Sequence, residues 1–568
     1  MMSDLMKQKI NLISIFVLTL MITAVLAPQA FGKCDQTMID VQILGINDFH
    51  GQITEGAFVA GRPVGSAPVL ASYLKAASMG METQTLIVHA GDIVGASPPE
   101  SALLQDEPTI MFFNLMANKY CSTESRMHPK CNIVGTVGNH EFDDGQEEML
   151  RLLNGGNHDN GPFLQDPWQG ANFPHVCANV VYEETGRPIL PPYVIKNVKG
   201  VHIAFIGAVL KETATIVTAE GIAGLAFQDE AEAINTQVRL LKDRGVKSII
   251  AVIHEGGYQT SYDGPTDPDQ TDLTGAIVDI VKALDSEVDV VLSGHSHGFT
   301  NALIENNEGA DILVAQAWSK GTAYADVDLQ IDRHTRDVVS KTAKIVTTWA
   351  DEGPGLEPDA QVLQLVDQAI MTTGPLTGQV VAEAAADIMS TQNAAGESAL
   401  GNLIADAQRT IMDSDFAFMN PGGIRSDLLA GAVTWGDLYT IQPFNNYLIK
   451  IELTGQQIYD LLNQQFTPYQ PYDRMLQVSG LTYTWDASRP ANDLIVEVRK
   501  EGDPIDAAGV YTVTVNSFLA GGGDQFTVLP EGTVMEVGPI DLDALIEYIQ
   551  NLPQPITYAI DGRIERVN

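Results

Sequence analysis

Positive charge is scarce in this sequence of 568 residues, in which 32 lysines and arginines face 72 aspartates and glutamates for a net charge of −40. This balance disfavours a nucleic acid polymer or an anionic membrane surface as a partner. It also means that an anionic substrate must be captured by local positive charge, which bound metal ions supply.

Long apolar runs are equally scarce, because only the N-terminal segment contains one. Lys7 and Lys9 precede an apolar run over residues 12–27, and this order predicts a cleaved secretory signal over residues 1–32. An uncleaved anchor helix is the alternative, since the run is close to membrane-spanning length. No second run follows, so we expect a secreted or periplasmic protein without stable membrane insertion after cleavage.

Cysteines are few, and all four lie in the first third of the chain, namely Cys34, Cys121, Cys131 and Cys177. In an exported chain they allow two disulfides with three possible pairings, of which the local pair Cys121–Cys131 is favoured. No two cysteines have the close spacing of a zinc site, so we interpret them as structural.

Two polar segments rich in glycine and asparagine, residues 120–132 and 154–173, interrupt the apolar pattern. Their composition is typical of surface insertions. Three histidines lie in or beside these segments and are therefore predicted at the surface: His128, His158 and His175.

The length favours two large domains, and the first half alternates short apolar strands with amphipathic helices, which predicts an α/β or mixed sheet. Helical spacing covers residues 229–245 and 274–284. The later segments 311–318 and 323–331 alternate as a more antiparallel second sheet would.

Five predicted strands of this half end in polar side chains that can bind metals. Asp48 and His50 follow the strand at 41–46, Asp92 follows 85–89, Asn139 and His140 follow 133–137, His254 follows 248–253, and His295 and His297 follow 288–292. Two metal ions need about seven or eight nitrogen and oxygen ligands, and the strand ends of one sheet would bring them together. Each motif alone has a structural explanation as a turn or a helix cap, but five in succession predict a metal centre.

With these motifs the sequence resembles the calcineurin-like metallophosphoesterases, and within them the secreted two-domain 5′-nucleotidase and UDP-sugar hydrolase group. The resemblance implies an α/β (α+β) fold with three parts after the signal. These are a metallophosphoesterase β-sandwich flanked by helices over residues 36–348, a linker helix over 349–375, and an α/β substrate-binding domain over 376–568.

The same resemblance implies two divalent ions, with Zn, Mn, Co and Mg as the candidates. One ion would be held by Asp48, His50, Asp92 and His297, and the other by Asp92, Asn139, His254 and His295. His140, paired with Asp143, would face the phosphoryl group or the leaving oxygen.

The second half carries a different set of motifs. A helix with a capping-type start runs from 397 to about 412, and a strand at 416–419 precedes a glycine pair and Arg425. Phe444 and Phe518 lie in polar loops where a planar base can stack between rings. The resemblance implies that these two rings hold the base, that Asn420 and Asn446 contact it or its surroundings, and that Arg425 reaches phosphate or ribose. Asp524 would accept hydrogen bonds from ribose hydroxyls.

One departure from the family pattern concerns residues 393–396. Many members have an arginine just before the helix that starts at 397, whereas here the segment reads Asn-Ala-Ala-Gly. Phosphate contacts would then depend on Arg425 and the metals, which weighs against tight binding of diphosphates.

The leading hypothesis is an exported two-metal phosphohydrolase acting on nucleotides, with 5′-nucleotides foremost. The alternatives within enzymes are a UDP-sugar or dinucleotide pyrophosphohydrolase, a 2′,3′-cyclic nucleotide phosphodiesterase with 3′-nucleotidase activity, and a sulfur-ester hydrolase. A catalytically silent nucleotide-binding surface protein is the alternative outside enzymes, although no predicted ligand is missing. The chain would act as a monomer or a dimer, and closure of one domain onto the other would complete the site.

Overall fold

The computed structural model describes residues 37–54, 57–470 and 472–568. The predicted secretory signal and Cys34 lie outside the described residues. Within the described ranges no helix is both long and apolar enough to cross a membrane.

The first sheet has five strands and a parallel centre. In spatial order its strands are Val338–Thr347, Ala323–Asp332, Met38–Ile46, Thr85–His89 and Ile133–Gly135. The last three run parallel to one another, whereas Ala323–Asp332 pairs antiparallel with both of its neighbours.

The second sheet has six strands. In spatial order they are Phe299–Glu305, Asp311–Ala317, Val288–Ser293, Ser248–His254, Val201–Val209 and Tyr193–Val198. The four inner strands are parallel and the two outer strands pair antiparallel. The prediction that residues 311–318 and 323–331 form a sheet together was wrong, because one strand joins each sheet.

The two sheets pack face to face as a sandwich. Ile43 and Val88 from the first sheet and Ile203, Val252 and Val290 from the second lie in one core and are fully buried. Successive strand residues point to opposite faces, so the outer face of each sheet is also apolar and needs its own cover.

Helices supply that cover. Ala67–Ala77 and Glu107–Met116 pack on the outer face of the first sheet, and Glu230–Asp243 and Ala276–Ala283 on that of the second. The remaining short helices of this half are Pro99–Ala102, Gln146–Asn154, Thr213–Ile216 and the 3₁₀ turns His140–Phe142 and Gly353–Leu356. Short paired strands complete it, namely Ala57–Val59 with Arg62–Val64 and Val180–Tyr182 with Leu225–Phe227. The predicted helix-flanked sandwich is confirmed.

The structure joins Cys121 to Cys131, whose Cα atoms are 4.6 Å apart, so the favoured local disulfide is confirmed. Cys177 is buried and free of any disulfide among the described residues. The prediction of a surface position for His175 was wrong. A β-bridge to Gly135 extends the first sheet at its edge and carries His175 into the interior, where it is 6% exposed.

The predicted linker is a helix over Ala360–Thr377, and the Asp359 side chain caps its N-terminus by accepting from the backbone N–H groups of Gln361 and Val362. Leu365 and Val366 lie in the same core as the helices on the first sheet. The helix is therefore packed onto the N-terminal half, while the domain boundaries stay a prediction.

The C-terminal half contains a five-stranded and a four-stranded sheet. The larger has the order Gln477–Ser479, Phe416–Met419, Val510–Asn516, Tyr447–Thr454 and Thr533–Ile540, and the smaller has Asp503–Pro504, Ile495–Lys500, Thr482–Trp485 and Ile564–Arg566. A two-stranded ladder pairs Val380–Ala384 with Gly431–Thr434.

Helices of the C-terminal half are Ala399–Ile411, Trp435–Ile441, Gly455–Asn463, Ser517–Ala520 and Asp541–Asn551, with 3₁₀ turns at Pro421–Gly423, Gly523–Gln525 and Leu529–Glu531. The predicted capping at the start of the first of these is confirmed, because the Ser398 side chain accepts a hydrogen bond from Gly401 N. Asn420 and Arg425 follow the buried strand Phe416–Met419. The prediction of a loop around Phe518 was wrong, because Phe518 lies in the short helix Ser517–Ala520.

Candidate metal centre and adjoining cavity

The polar strand ends meet at one rim of the sandwich. Asp48, His50, Asp92 and Asn139 come from the first sheet, whereas His254, His295 and His297 come from the second. The expectation that a single sheet gathers them was wrong. Two packed sheets bring their strand ends together from opposite sides, which encloses the site more fully than one edge would.

One group of ligand atoms surrounds His50. Its Nε2 lies 3.0 Å from His297 Nε2 and 3.8 Å from Asp92 Oδ2, and His297 Nε2 lies 3.5 Å from Asp48 Oδ1. Such a group of two imidazoles and two carboxylates is the chemistry that divalent metals prefer.

A second group surrounds His254 and shares Asp92 with the first. His254 Nε2 lies 3.0 Å from Asp92 Oδ2 and 3.3 Å from Asn139 Oδ1, which in turn lies 3.0 Å from His295 Nδ1. Asp92 therefore stands between the two groups, as a bridging carboxylate would.

The hydrogen bonds around the imidazoles fit a pair of cations. His50 Nδ1 contacts Gly95 O at 2.8 Å and His254 Nδ1 contacts Ala90 O at 2.7 Å. Because a carbonyl only accepts, both Nδ1 atoms carry protons, and in each ring Nε2 is the nitrogen that faces the ligand group. His50 Nε2 and His297 Nε2, 3.0 Å apart, are thus both directed at the same point.

Burial strengthens the same conclusion. Asp48 and Asp92 are at most 1% exposed, and burial raises the pKa of Asp48 to about 7 despite the opposing influence of His254. Burial acts to lower the pKa of His254, but the charge of Asp92 outweighs it and raises the pKa to about 10. Two buried carboxylates of this kind call for compensating positive charge.

Backbone strain also concentrates here. Asp48, His50, Asp92, His295 and His297 all have positive φ, between 46° and 69°, although none is glycine. Such conformations cost on the order of 1–3 kcal/mol each and cluster at functional sites. The site is also too crowded for a side chain at Gly138, because a Cβ there would lie 2.2 Å from Asp92 Oδ1.

His140 lies beside the two groups and is paired as predicted. Its Nδ1 lies 2.6 Å from Asp143 Oδ2, and its backbone N–H donates to Asp92 Oδ1 at 2.9 Å. Burial acts to lower the pKa of His140, but the carboxylates of Asp143 and Asp92 outweigh it, so the net shift is upward. The protonated imidazole is therefore favoured.

Glu141 is a residue of the site to which the sequence assigned no role. Its carboxylate is buried and accepts from the backbone N–H groups of Asp92 at 3.0 Å and Ile93 at 2.9 Å, and also from Gly138. It thus ties the turn that carries Asp92 to the turn that carries Asn139. In the sequence, only its position next to His140 indicated that Glu141 belongs to the site.

The C-terminal half faces this centre across a cavity of about 400 Å³. From the N-terminal half the lining includes Asn139, His140, Asp143 and His295, and from the C-terminal half it includes Asn420, Arg425, Phe444, Asn446, Phe518 and Asp524. All six predicted substrate-binding residues therefore lie on the same cavity as the metal-ligand candidates.

The two asparagines also hold the cavity wall together. Asn446 Oδ1 accepts from Ser517 Oγ at 3.0 Å and from Phe518 N at 3.3 Å. Asn420 donates from Nδ2 to Asp524 Oδ2 at 3.2 Å. Each side chain therefore fixes a residue predicted to contact the nucleoside.

Arg474 is the second residue that the sequence did not indicate. It lines the cavity and its Nη1 donates to Asp524 Oδ1 at 2.7 Å. It lies in an irregular segment without a motif, far in sequence from residues 393–396, where the family arginine is missing. The cavity thus contains two arginines, Arg425 and Arg474, in a strongly acidic chain.

Models of two families match the chain. Residues 41–299 match the calcineurin-like phosphoesterase family and residues 377–531 match the 5′-nucleotidase C-terminal domain. The first match lies within the N-terminal half and the second within the C-terminal half.

Individual proteins align over nearly the whole chain. It is 38% identical over 93% of its length to "Endonuclease YhcR" of Bacillus subtilis, and 34% identical over 90% to "Cell wall protein Lmo0130" of Listeria monocytogenes. The chain spans 41% of the length of the first relative and 67% of the second.

The fold agrees with these matches. A crystal structure of a 5′-nucleotidase precursor from Thermus thermophilus superposes with a TM-score of 0.76 at 26% identity, covering 93% of this chain and 100% of that one. The chain belongs to the family that joins a calcineurin-like metallophosphoesterase domain to a 5′-nucleotidase C-terminal domain.

Proposed function

We propose that this chain is an exported, dinuclear-metal 5′-nucleotidase that releases phosphate from nucleoside 5′-monophosphates. The observation that carries the proposal is one cavity of about 400 Å³ whose lining includes metal-ligand candidates and two phenylalanines, Phe444 and Phe518. A cavity that can hold both a phosphate and a base fits a nucleotide.

Two divalent ions would be held by the two ligand groups around His50 and His254, with Asp92 shared. When bound, such ions supply Lewis-acid chemistry, offsetting negative charge on phosphoryl oxygens and activating water. The convergence of imidazole nitrogens with carboxylate and amide oxygens supports this assignment.

His140 acts on the leaving group in this proposal. Asp143 engages Nδ1, so Nε2 is the atom that donates a proton to the leaving oxygen, and the raised pKa keeps that proton available near neutral pH. Arg425 adds a planar cation for phosphate or ribose. Its guanidinium lies 5.9 Å from the centre of the Phe444 ring, and both residues line the cavity.

Phe444 and Phe518 hold the base, and Asp524 accepts from the ribose hydroxyls. Asn420 and Asn446 contribute by fixing Asp524 and Phe518 and by their own exposure to the cavity. Export is supported by the Cys121–Cys131 disulfide, since such bonds persist in oxidising compartments.

The test is hydrolysis of a substrate panel by the purified mature chain with Zn, Mn, Co or Mg. We expect AMP to be hydrolysed with the highest kcat/KM among AMP, 3′-AMP, 2′,3′-cyclic AMP and UDP-glucose. His140→Ala and Asp92→Asn should each abolish turnover, whereas His334→Gln on the exposed surface should not.

Metal analysis supplies the independent readout. Two equivalents of metal should be retained by the wild-type chain and fewer by Asp92→Asn. Preference for another panel member would replace the 5′-nucleotide assignment, and turnover that survives in both active-site variants would remove the proposed mechanism.

A further inference from the structure

The Arg474–Asp524 pair is an ion pair inside the substrate cavity. Both side chains are 11% exposed, and Nη1 of Arg474 donates to Oδ1 of Asp524 at 2.7 Å. The other carboxylate oxygen accepts from Asn420 at 3.2 Å, and the main-chain carbonyl of Asp524 accepts from Gln470 Nε2 at 2.7 Å. Asp524 is therefore held from three directions in one orientation.

This pair opposes the effect of burial on Asp524. Burial raises the pKa of the carboxyl group, and the Arg474 charge and the Asn420 hydrogen bond offset only part of that upward shift. An ionised carboxylate only accepts hydrogen bonds and has about four lone-pair sites, of which two are occupied here. The two that remain can accept from two adjacent hydroxyl groups, whereas a protonated carboxyl would lose part of that capacity.

Arg474 also changes the charge that the cavity presents to a substrate. An unpaired Asp524 would place a buried negative charge near the phosphate of a nucleotide, in a chain that already carries a net charge of −40. The positive charge of the Arg474 guanidinium offsets that negative charge. Its Cζ lies over the Tyr472 ring, 5.0 Å from the ring centre. Among the described residues its side chain makes no hydrogen bond other than the one to Asp524.

We propose that Arg474 is a specificity-determining positioning residue, which holds Asp524 as an ionised acceptor for the ribose hydroxyls and so makes the chain select ribonucleotides over nucleotides that lack those hydroxyls. The inference rests on the proposed function and refines its substrate class. Arg474 acts through Asp524, so its removal should alter recognition of the sugar and not the hydrolytic step.

The experiment compares AMP with 2′,3′-dideoxy-AMP in Arg474→Met, Arg474→Lys and Arg489→Met. Arg489 is a matched control, because it forms a surface ion pair with Asp493 away from the cavity. In Arg474→Met the KM for AMP should rise roughly 10- to 100-fold, the loss expected for hydrogen bonds to a charged group. The KM for the dideoxy substrate should rise less, because that substrate loses no hydroxyl contact. Both kcat values should stay near wild type, and Arg474→Lys should recover part of the loss.

A pH profile separates positioning from a general structural role. Arg474, Asn420 and Gln470 are the polar groups that face Asp524, and removing the cation raises the pKa of Asp524 further. The AMP to dideoxy-AMP ratio of kcat/KM should therefore climb more steeply in Arg474→Met than in wild type as pH rises from 6 to 9. Equal losses on both substrates, or an unchanged ratio, would overturn the inference.

Binding of nucleosides keeps this test separate from the proposed function. Calorimetry with adenosine and 2′,3′-dideoxyadenosine needs no hydrolysis and can use the metal-loaded His140→Ala chain. Selective adenosine binding that disappears in His140→Ala/Arg474→Met supports the inference even if AMP is not a substrate. Equal binding of the two nucleosides before the second substitution overturns it.

Discussion

The ring of Phe444 stacks on the ring of His140, with centroids 5.9 Å apart and an interplanar angle of 17°. Phe444 belongs to the C-terminal half and His140 to the metal-ligand rim of the N-terminal half. The contact therefore joins Phe444 to the residue proposed as the proton donor, and it brings the two halves together beside the candidate metal centre.

Removing the Phe444 ring should weaken binding of nucleotides more than binding of phosphates without a base. Base stacking on an aromatic side chain is worth about 1–3 kcal/mol, so Phe444→Ala should raise the KM for AMP roughly 5- to 150-fold. Phe444→Tyr keeps the ring and should stay close to wild type. Steady-state kinetics with AMP and p-nitrophenyl phosphate measure the difference, and an equal rise in KM for both substrates would argue against stacking.

The charge of Asp143 should set the alkaline limit of activity. A proton on His140 is fully present below its pKa and is lost as pH rises through it, and the neighbouring carboxylates of Asp143 and Asp92 raise that pKa above 6.5 in spite of burial. Asp143→Asn keeps a hydrogen-bond acceptor for Nδ1 but removes one charge, so the alkaline limb of kcat/KM should move to lower pH.

Profiles from pH 5 to 10 on AMP test this shift, with Asp159→Asn on the exposed surface as the control for loss of one carboxylate. A limb that stays in place or moves to higher pH would show that His140 is not the group that titrates.

The strand ends of the N-terminal half were predictable because each polar motif directly follows an apolar strand. The strand at Thr85–His89 was predicted with the bounds that the structure shows, and the strand before His254 differs by one residue. Which sheet each strand joins was not predictable, because alternation of apolar residues reports burial and not the identity of the pairing strand.

Residues on irregular segments escaped prediction for a related reason. Arg474 reaches Asp524 across 50 positions of sequence, and no local pattern encodes such a contact. Polar, glycine-rich surroundings suggested a surface position for His175, yet a bridge to Gly135 buries it. Glycine is required there because a Cβ at Gly135 would lie 1.9 Å from the His89 ring.

Glu141 should control how firmly the metal ligands are held. Its two oxygens accept from three backbone N–H groups, whereas the amide of Glu141→Gln would turn one acceptor into a donor facing a donor. Loss of such support costs roughly 10- to 100-fold in metal affinity.

Competition with a fluorescent chelator measures that affinity, and Glu147→Gln on the exposed face of the next helix is the matched control. An unchanged metal affinity in Glu141→Gln, with the fold intact, would mean that the two turns hold their shape without this carboxylate.

The buried pair His89 and His175 should make the protein sensitive to acid. Their Nε2 atoms lie 3.2 Å apart among aromatic rings, and burial, aided by Arg126, lowers the pKa of His175 to about 3. Burial together with His175 holds the pKa of His89 well below 6.5. Because the unfolded chain binds these protons near pH 6.5 and the folded chain does not, stability is fully present above 6.5 and falls as the pH drops below it.

Replacing His175 by phenylalanine should flatten this dependence. Each histidine contributes about 1.4 kcal/mol of lost stability per pH unit below 6.5, and His175→Phe removes one of the two while keeping a ring against Phe173, whose centroid lies 4.9 Å away. Thermal unfolding between pH 7.5 and 4.5 should therefore show a smaller fall in Tm for His175→Phe than for wild type or for His334→Gln. The comparison between variants cancels the acid sensitivity of the metal ligands, since these are common to all three proteins. Parallel curves for wild type and His175→Phe would show that this pair does not govern acid unfolding.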